Sequence, residues 1–296
     1  MELISQTNLP LKLLKRGKVR DIYELDEKKL LIVSTDRISA FDVVLPNLIP
    51  FKGIVLNLLS IFWFKKTKKI IENHLISSDF KKLPSQLKKF SFLKNRFQIV
   101  KKTKPILVEC IARGYLSGSA WKSYLKNREI CGIKLPPGLK ESQKLPEPIF
   151  TPTTKAFEGH DKELSFKELE NLVGKKLALK LKEISLKIYL FAFKFLQKKG
   201  IILCDTKFEF GYFGKKLILI DELLTPDSSR FWEKEKYQVG KSQDSLDKQF
   251  VRDYLIKINW PKKPPAPTLP KEIVKKTSQK YIEIFEKITG KTFKKL

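Results

Sequence analysis

The chain has 296 residues, 60 Lys and Arg against 32 Asp and Glu, and 42% hydrophobic residues. That length gives a core large enough to need no disulfide or metal staple, and an aromatic content of 11% excludes a mainly disordered chain. No run approaches the about 18 apolar residues of a membrane span, and the opening MELISQTNLP lacks the basic start and apolar core of a secretory leader, so a cytoplasmic chain without a membrane contact is expected.

In chain order, VRDIYEL and KLLIVST are β-rich runs split by Asp26-Glu27-Lys28-Lys29, the pattern of a hairpin. VLNLLSIFWFKK carries helical spacing of apolar residues. RFQIV and PILVECIA predict two further strands. The turn Ser117-Gly118-Ser119 leads into a helix, AWKSYLKN. A long irregular stretch, from Gly132 to His160, holds Pro136, Pro137, Pro146, Pro148 and Pro152, and a loop of that length is commonly functional or disordered. Ser165 with Glu168 forms a capping box for one long helix reaching Gly200. GIILCDTKFEFG and KLILIDELL predict a strand pair. After Pro264-Pro265 and Pro267, an amphipathic helix spans about residues 271–289 and stops at Gly290. Zones at 1–108, 109–262 and 263–296 result.

A net charge of +28 raises the possibility of a nucleic-acid partner. Only eight of the 60 basic residues are arginine, however, and lysines such as Lys65-Lys66, Lys68-Lys69 and Lys101-Lys102 are spread along the chain. A reader of base edges concentrates its basic residues and favours arginine, so a solvated surface without nucleic acid is expected. Cys110, Cys131 and Cys204 form no CxxC pair, and His74 and His160 lie far apart. Neither a disulfide framework nor a histidine-based triad is expected.

Five polar segments can carry chemistry. Arg16-Gly17-Lys18-Val19-Arg20-Asp21 is either a tight turn or a cover for nucleotide phosphates, without the spacing of a Walker loop. Strand alternation puts Asp205, Lys207 and Glu209 on one face, and the pair Asp221-Glu222 follows the next strand. Such carboxylates fit either Mg²⁺ with phosphate oxygens or a ladder of cross-strand salt bridges. The others are Thr225–Arg230, Arg113–Ser119, whose Gly-Ser turn opens a helix and so offers N–H groups to an anion, and Ser34–Asp42; each alone also fits a capped turn. Arg16, Arg20, Arg37, Arg113 and Arg230 all fall inside these segments. Where lysine serves elsewhere, arginine indicates a planar, two-pronged contact with phosphate or carboxylate.

Taken in order, RGKVRDIYEL, STDRISAFDV, IARGYLSGSAWKSY, GLKESQKLPEPIFTPTTKA, CDTKFEFG, DELLTPDSSRFW and SQDSLDKQFVRDYL resemble the SAICAR synthetase family of purine biosynthesis over nearly the whole chain. The resemblance implies an ATP-dependent ligase that joins L-aspartate to carboxyaminoimidazole ribonucleotide (CAIR) through an acyl phosphate. It implies an α+β fold, kinase-like or ATP-grasp-like. An N-terminal antiparallel-sheet domain and a larger α+β second domain would hold ATP between them. Gly17, Lys18 and Arg20 would cover the ATP phosphates, and the segment ending at Glu109 would meet the adenine. Glu209 and Asp221 would hold Mg²⁺. Arg113, Ser119 and Arg230 would bind the ribonucleotide phosphate, with Asp205 and Lys207 beside the imidazole and its carboxylate. Glu147 matches a carboxylate near a second metal, and Asp36, Arg37 and Ser39 match a motif that would meet the aspartate. A monomer is expected.

Overall fold

The computed structural model describes residues 2–155, 162–246 and 248–293. Strand β1 (Leu13–Arg16) turns through Gly17 into β2 (Arg20–Asp26), and β3 (Lys29–Ser34) closes the expected hairpin. Asp26 makes that turn by accepting the Lys28 N–H at 2.8 Å. β4 (Arg37–Ala40) and β5 (Val43–Leu48) form a separate ribbon. Helix α1 (Lys52–Thr67) is buried along most of its circumference, as its apolar run requires. β6 (Leu75–Ser77) and β7 (Phe97–Lys101) return to the hairpin, giving an antiparallel sheet in the order β1-β2-β3-β7-β6. Tyr23, Leu31, Val33 and Phe97 bury one face of it.

The chain then crosses to a second sheet. β8 (Lys104–Pro105) and β9 (Val108–Tyr115) are followed by α2 (Ser119–Asn127) and a small hairpin, β10 (Glu129–Ile130) with β11 (Ile133–Lys134). β12 (Lys144–Phe150) and β13 (Thr153–Thr154) both lie antiparallel to β9. The stretch expected to be irregular therefore contains edge strands among its described residues. Pro146 and Pro148 cannot donate to a ladder, and the register slips between Lys144 and Ile149, where an edge tolerates it. His160 and residues 156–159 lie outside the described residues.

The predicted capping box is present, with Ser165 Oγ and the Glu168 N–H 3.2 Å apart. It opens α3 (Phe166–Val173), which stops at Gly174, and α4 (Lys175–Gln197) follows. One expected helix is thus two, because Gly174 sits at φ 85°, outside helical geometry. β14 (Ile201–Phe213) is the spine of the second sheet, with β9 and β8 along one edge, and β15 (Lys216–Ile220) and β16 (Ser229–Glu233) along the other. β16 was not foreseen: the Thr225–Arg230 turn runs straight into it. α5 (Gln249–Lys257) and α6 (Lys271–Thr289) complete the chain, α6 ending at Gly290 as expected. The main core joins α1, α4 and α6 to β9 and β14, through Trp63, Phe64, Leu181, Phe208, Phe210 and Tyr281.

Candidate active site

Register builds one end of the site. Asp205 of β14 faces Arg113 on β9 and Arg230 on β16, so one carboxylate stands between two guanidinium groups. Arg113 Nη1 donates to Asp205 Oδ2 at 2.8 Å, and Arg230 Nη1 donates to the same oxygen. Arg113 is fixed further by Thr151 Oγ1 at 2.8 Å and reaches Ser119 Oγ at 3.2 Å. Ser119 is the first residue of α2, whose N-terminus has no side-chain cap, so its orphan N–H groups add to the positive field. Gly118 carries φ 61°, and a Cβ there would lie 2.4 Å from Arg230 Nη2. The Gly-Ser turn and the arginines expected to bind one phosphate therefore converge. Asp205, expected beside the imidazole, orients both arginines.

The other end lies further along the same strands. Lys207 Nζ is bonded to Glu109 on β9, and Lys155 Nζ, just beyond β13, to Glu209. Asp221, directly after β15, accepts from Arg20 Nη2 at 2.7 Å, and Glu222 lies 3.7 Å from the same nitrogen. Arg20 comes from the first sheet, so this ion pair spans the two sheets. Burial opposes ionisation of Asp221, yet Arg20, with Lys155 and Lys207, holds its carboxyl far below the usual range. Burial and the Asp221 charge push the Glu209 carboxyl up instead. Two carboxylates thus share a buried space in which a further cation would relieve their repulsion. Asp221 is at φ 67°, a left-handed conformation uncommon for a residue with a side chain and concentrated at functional sites.

The remaining expected residues are distributed differently. Lys18 pairs with Asp42 at the surface. Asp36 is fully buried and accepts from the Ile4 and Gly53 N–H groups at 2.9 and 3.0 Å and from Arg96 at 3.1 Å. Arg37 is held among Asp21 and three backbone carbonyls. Ser39 is buried on β4 opposite Val44. Asp36 to Ala40 of the DRISAFD segment are therefore buried, while Asp42 at its end is exposed and meets Lys18. Glu147 is exposed on β12, and among the described residues its side chain makes no hydrogen bond or ion pair.

Several contributors were not singled out from sequence: Lys155, Thr151 and Arg96. Lys155 has no local signature and reaches Glu209 only because β13 folds back onto β9. Beside Arg230, Asp227 accepts from Lys52 Nζ at 2.8 Å and Tyr281 Oη at 2.5 Å. This buried group pins the Thr225–Arg230 turn to α1 and α6. Cys110 and Cys204 are buried, and burial pushes the Cys131 thiol up to about 12.

An end with two arginines and a carboxylate-and-lysine end on one sheet, bridged to a second sheet by Arg20, give a site whose charged groups suit anionic ligands and a cation. A sequence model of the SAICAR synthetase family matches residues 13–267. A phosphoribosylaminoimidazole-succinocarboxamide synthase of Thermodesulfovibrio yellowstonii is 59% identical, over 97% of this chain and 99% of its own. A structure of the SAICAR synthase from Saccharomyces cerevisiae complexed with SAICAR superposes with a TM-score of 0.90 at 47% identity, covering 98% of this chain and 99% of its own. A SAICAR synthetase in complex with ADP gives 0.69 at 28% identity over 94% and 98%. The chain belongs to the SAICAR synthetase family.

Proposed function

We propose that ATP lies between the two sheets, with its phosphates at the carboxylate end, and that CAIR lies along β14 with its phosphate against Arg113, Ser119 and Arg230. The chain is an ATP-dependent ligase of purine biosynthesis, joining L-aspartate to CAIR to give SAICAR, ADP and phosphate. The observation that carries the assignment of roles is the register of β14. It sets the Arg113–Asp205–Arg230 row two residues from Lys207 and four from Glu209 on one strand face. That SAICAR and ADP are the ligands of two similar structures supports two adjacent subsites.

A carboxylate is a poor acyl donor, because its leaving group would be oxide. A CAIR carboxylate oxygen attacks the γ-phosphorus of ATP, the bond to the β-γ bridging oxygen breaks, and ADP leaves. The amine of aspartate then attacks the acyl carbon, phosphate departs, and the amine gives up a proton. The protein's share is alignment and neutralisation of charge. In this reading Lys207 faces the CAIR carboxylate and the transferring phosphoryl group, and Lys18 and Arg20 face the triphosphate. The adenine rests on the crossover ending at Glu109, where Leu107 is exposed.

Glu209 and Asp221 would hold Mg²⁺. Among the described residues no three metal-ligating side chains cluster, and two carboxylates completed by phosphate oxygens fit this ion, which keeps few protein ligands. When bound, Mg²⁺ supplies charge neutralisation on the phosphates. Asp221→Asn keeps the size and removes the charge, so we expect kcat to fall about a hundredfold or more. The check is kcat against Mg²⁺ concentration; near-normal turnover at saturating Mg²⁺ would reassign Asp221 to the Arg20 salt bridge alone.

A further inference from the structure

We infer that Arg37 is a positioning residue that sets the phosphate-covering loop, rather than a contact to L-aspartate; this rests on the reading that Gly17–Arg20 covers ATP. Arg37 has five N–H donors, and four contacts are in place. Nε donates to the Lys18 carbonyl at 3.1 Å, Nη2 to the Gly17 carbonyl at 2.9 Å and to Asp21 Oδ1 at 2.8 Å, and Nη1 to the Ser5 carbonyl. The residue is 9% exposed. Little donor capacity is left for a dicarboxylate substrate.

The consequence for the loop follows from peptide planarity. In a trans peptide the C=O and the next residue's N–H point in opposite directions. With the carbonyls of Gly17 and Lys18 turned to Arg37, the N–H groups of Lys18 and Val19 point away from it. Thr35 reinforces this by donating its N–H and Oγ1 to the Val19 carbonyl at 3.0 and 2.9 Å. Among the described residues neither the Lys18 N–H nor the Val19 N–H has a hydrogen-bond acceptor. Two successive N–H groups without a protein acceptor are left to donate to an anionic oxygen.

The anchor is itself fixed. Asp21 is fully buried and accepts from Thr7 N and Thr7 Oγ1, each at 2.8 Å, as well as from Arg37. Lysine could not replace Arg37, since one ammonium cannot span two carbonyls and a carboxylate. Arg37 therefore turns the loop's acceptors inward and its donors outward before nucleotide arrives.

The test compares Arg37→Lys and Arg37→Gln with Lys18→Ala, measuring KM for each substrate and hydrogen exchange at residues 17–20 with and without Mg-ATP. Losing the guanidinium fork should raise KM for ATP by about tenfold or more, with Gln worse than Lys and the CAIR and aspartate constants within about twofold. Loop exchange should quicken and lose its protection by ATP. Asp21→Asn, which keeps Arg37 but weakens its anchor, should give the same pattern more mildly. A raised aspartate constant with an unchanged ATP constant would overturn the inference in favour of a substrate contact. A lowered melting temperature with every constant unchanged would make Arg37 merely structural. If Lys18→Ala raises the ATP constant and Arg37→Lys does not, only the inference fails. If neither does, nucleotide binding under this loop fails with it.

Discussion

Arg113 and Arg230 share one oxygen of Asp205, so in the proposed site phosphate binding would depend on a fixed geometry rather than on charge alone. Arg230→Lys keeps the charge and loses the fork. Charge-assisted hydrogen bonds contribute roughly 1.5–3 kcal/mol, so KM for CAIR should rise about 10- to 150-fold, while the ATP constant, set at the other end of β14, moves far less. Initial-rate kinetics with each substrate varied in turn decides this. A CAIR constant within about twofold, or an equal rise for ATP, would show that Arg230 serves the turn and not the phosphate. The scarcity of arginine marked Arg20, Arg113 and Arg230 from sequence because lysine serves nearly everywhere else. Their partners carried no such mark. Arg20 meets Asp221 across 201 positions of sequence, and no local pattern announces a contact of that range.

At the scale of elements, β6 and the segment before it deliver His74 to the back of the carboxylate pair. The His74 N–H bonds to the Leu219 carbonyl of β15 at 3.0 Å, and its ring packs 5.2 Å from Phe64. Burial lowers its pKa from 6.5 to about 4, with Asp221 opposing the shift. The unfolded chain therefore takes up this proton at a higher pH than the folded one. The contribution is fully present above pH 6.5 and declines as pH falls from there towards 4, a change of about 3 kcal/mol. Thermal unfolding midpoints across that window should drop more steeply for the native chain than for His74→Phe. Parallel curves would mean that the buried imidazole takes its proton without unfolding. Periodicity and caps made most elements legible: the hairpin, α1, α2, the β14–β15 pair and α6 were all readable. The α3–α4 break was not, because apolar spacing continues through Gly174 and only the backbone angle interrupts it. The strands of the proline-rich stretch were hidden for another reason. Their pairing to β9 is set by the neighbour, while their own composition disfavours a strand.

For the whole molecule, the five-stranded and seven-stranded sheets are tied together by the Arg20–Asp221 pair and, beside β6, by the His74 N–H bond to the Leu219 carbonyl. The net charge of +28 suits an enzyme whose three substrates are all anions. The described helices include none long and apolar enough to cross a membrane. The central claim is that the phosphoryl acceptor is the CAIR carboxylate and that aspartate enters second, and one assay addresses both halves. ADP and SAICAR are measured with Mg-ATP alone, with CAIR added, with aspartate added, and with both. ADP release is predicted to require CAIR, and SAICAR is predicted to form only when aspartate is present as well. ADP released at the full rate without CAIR, or no SAICAR with all three substrates present, would contradict the account.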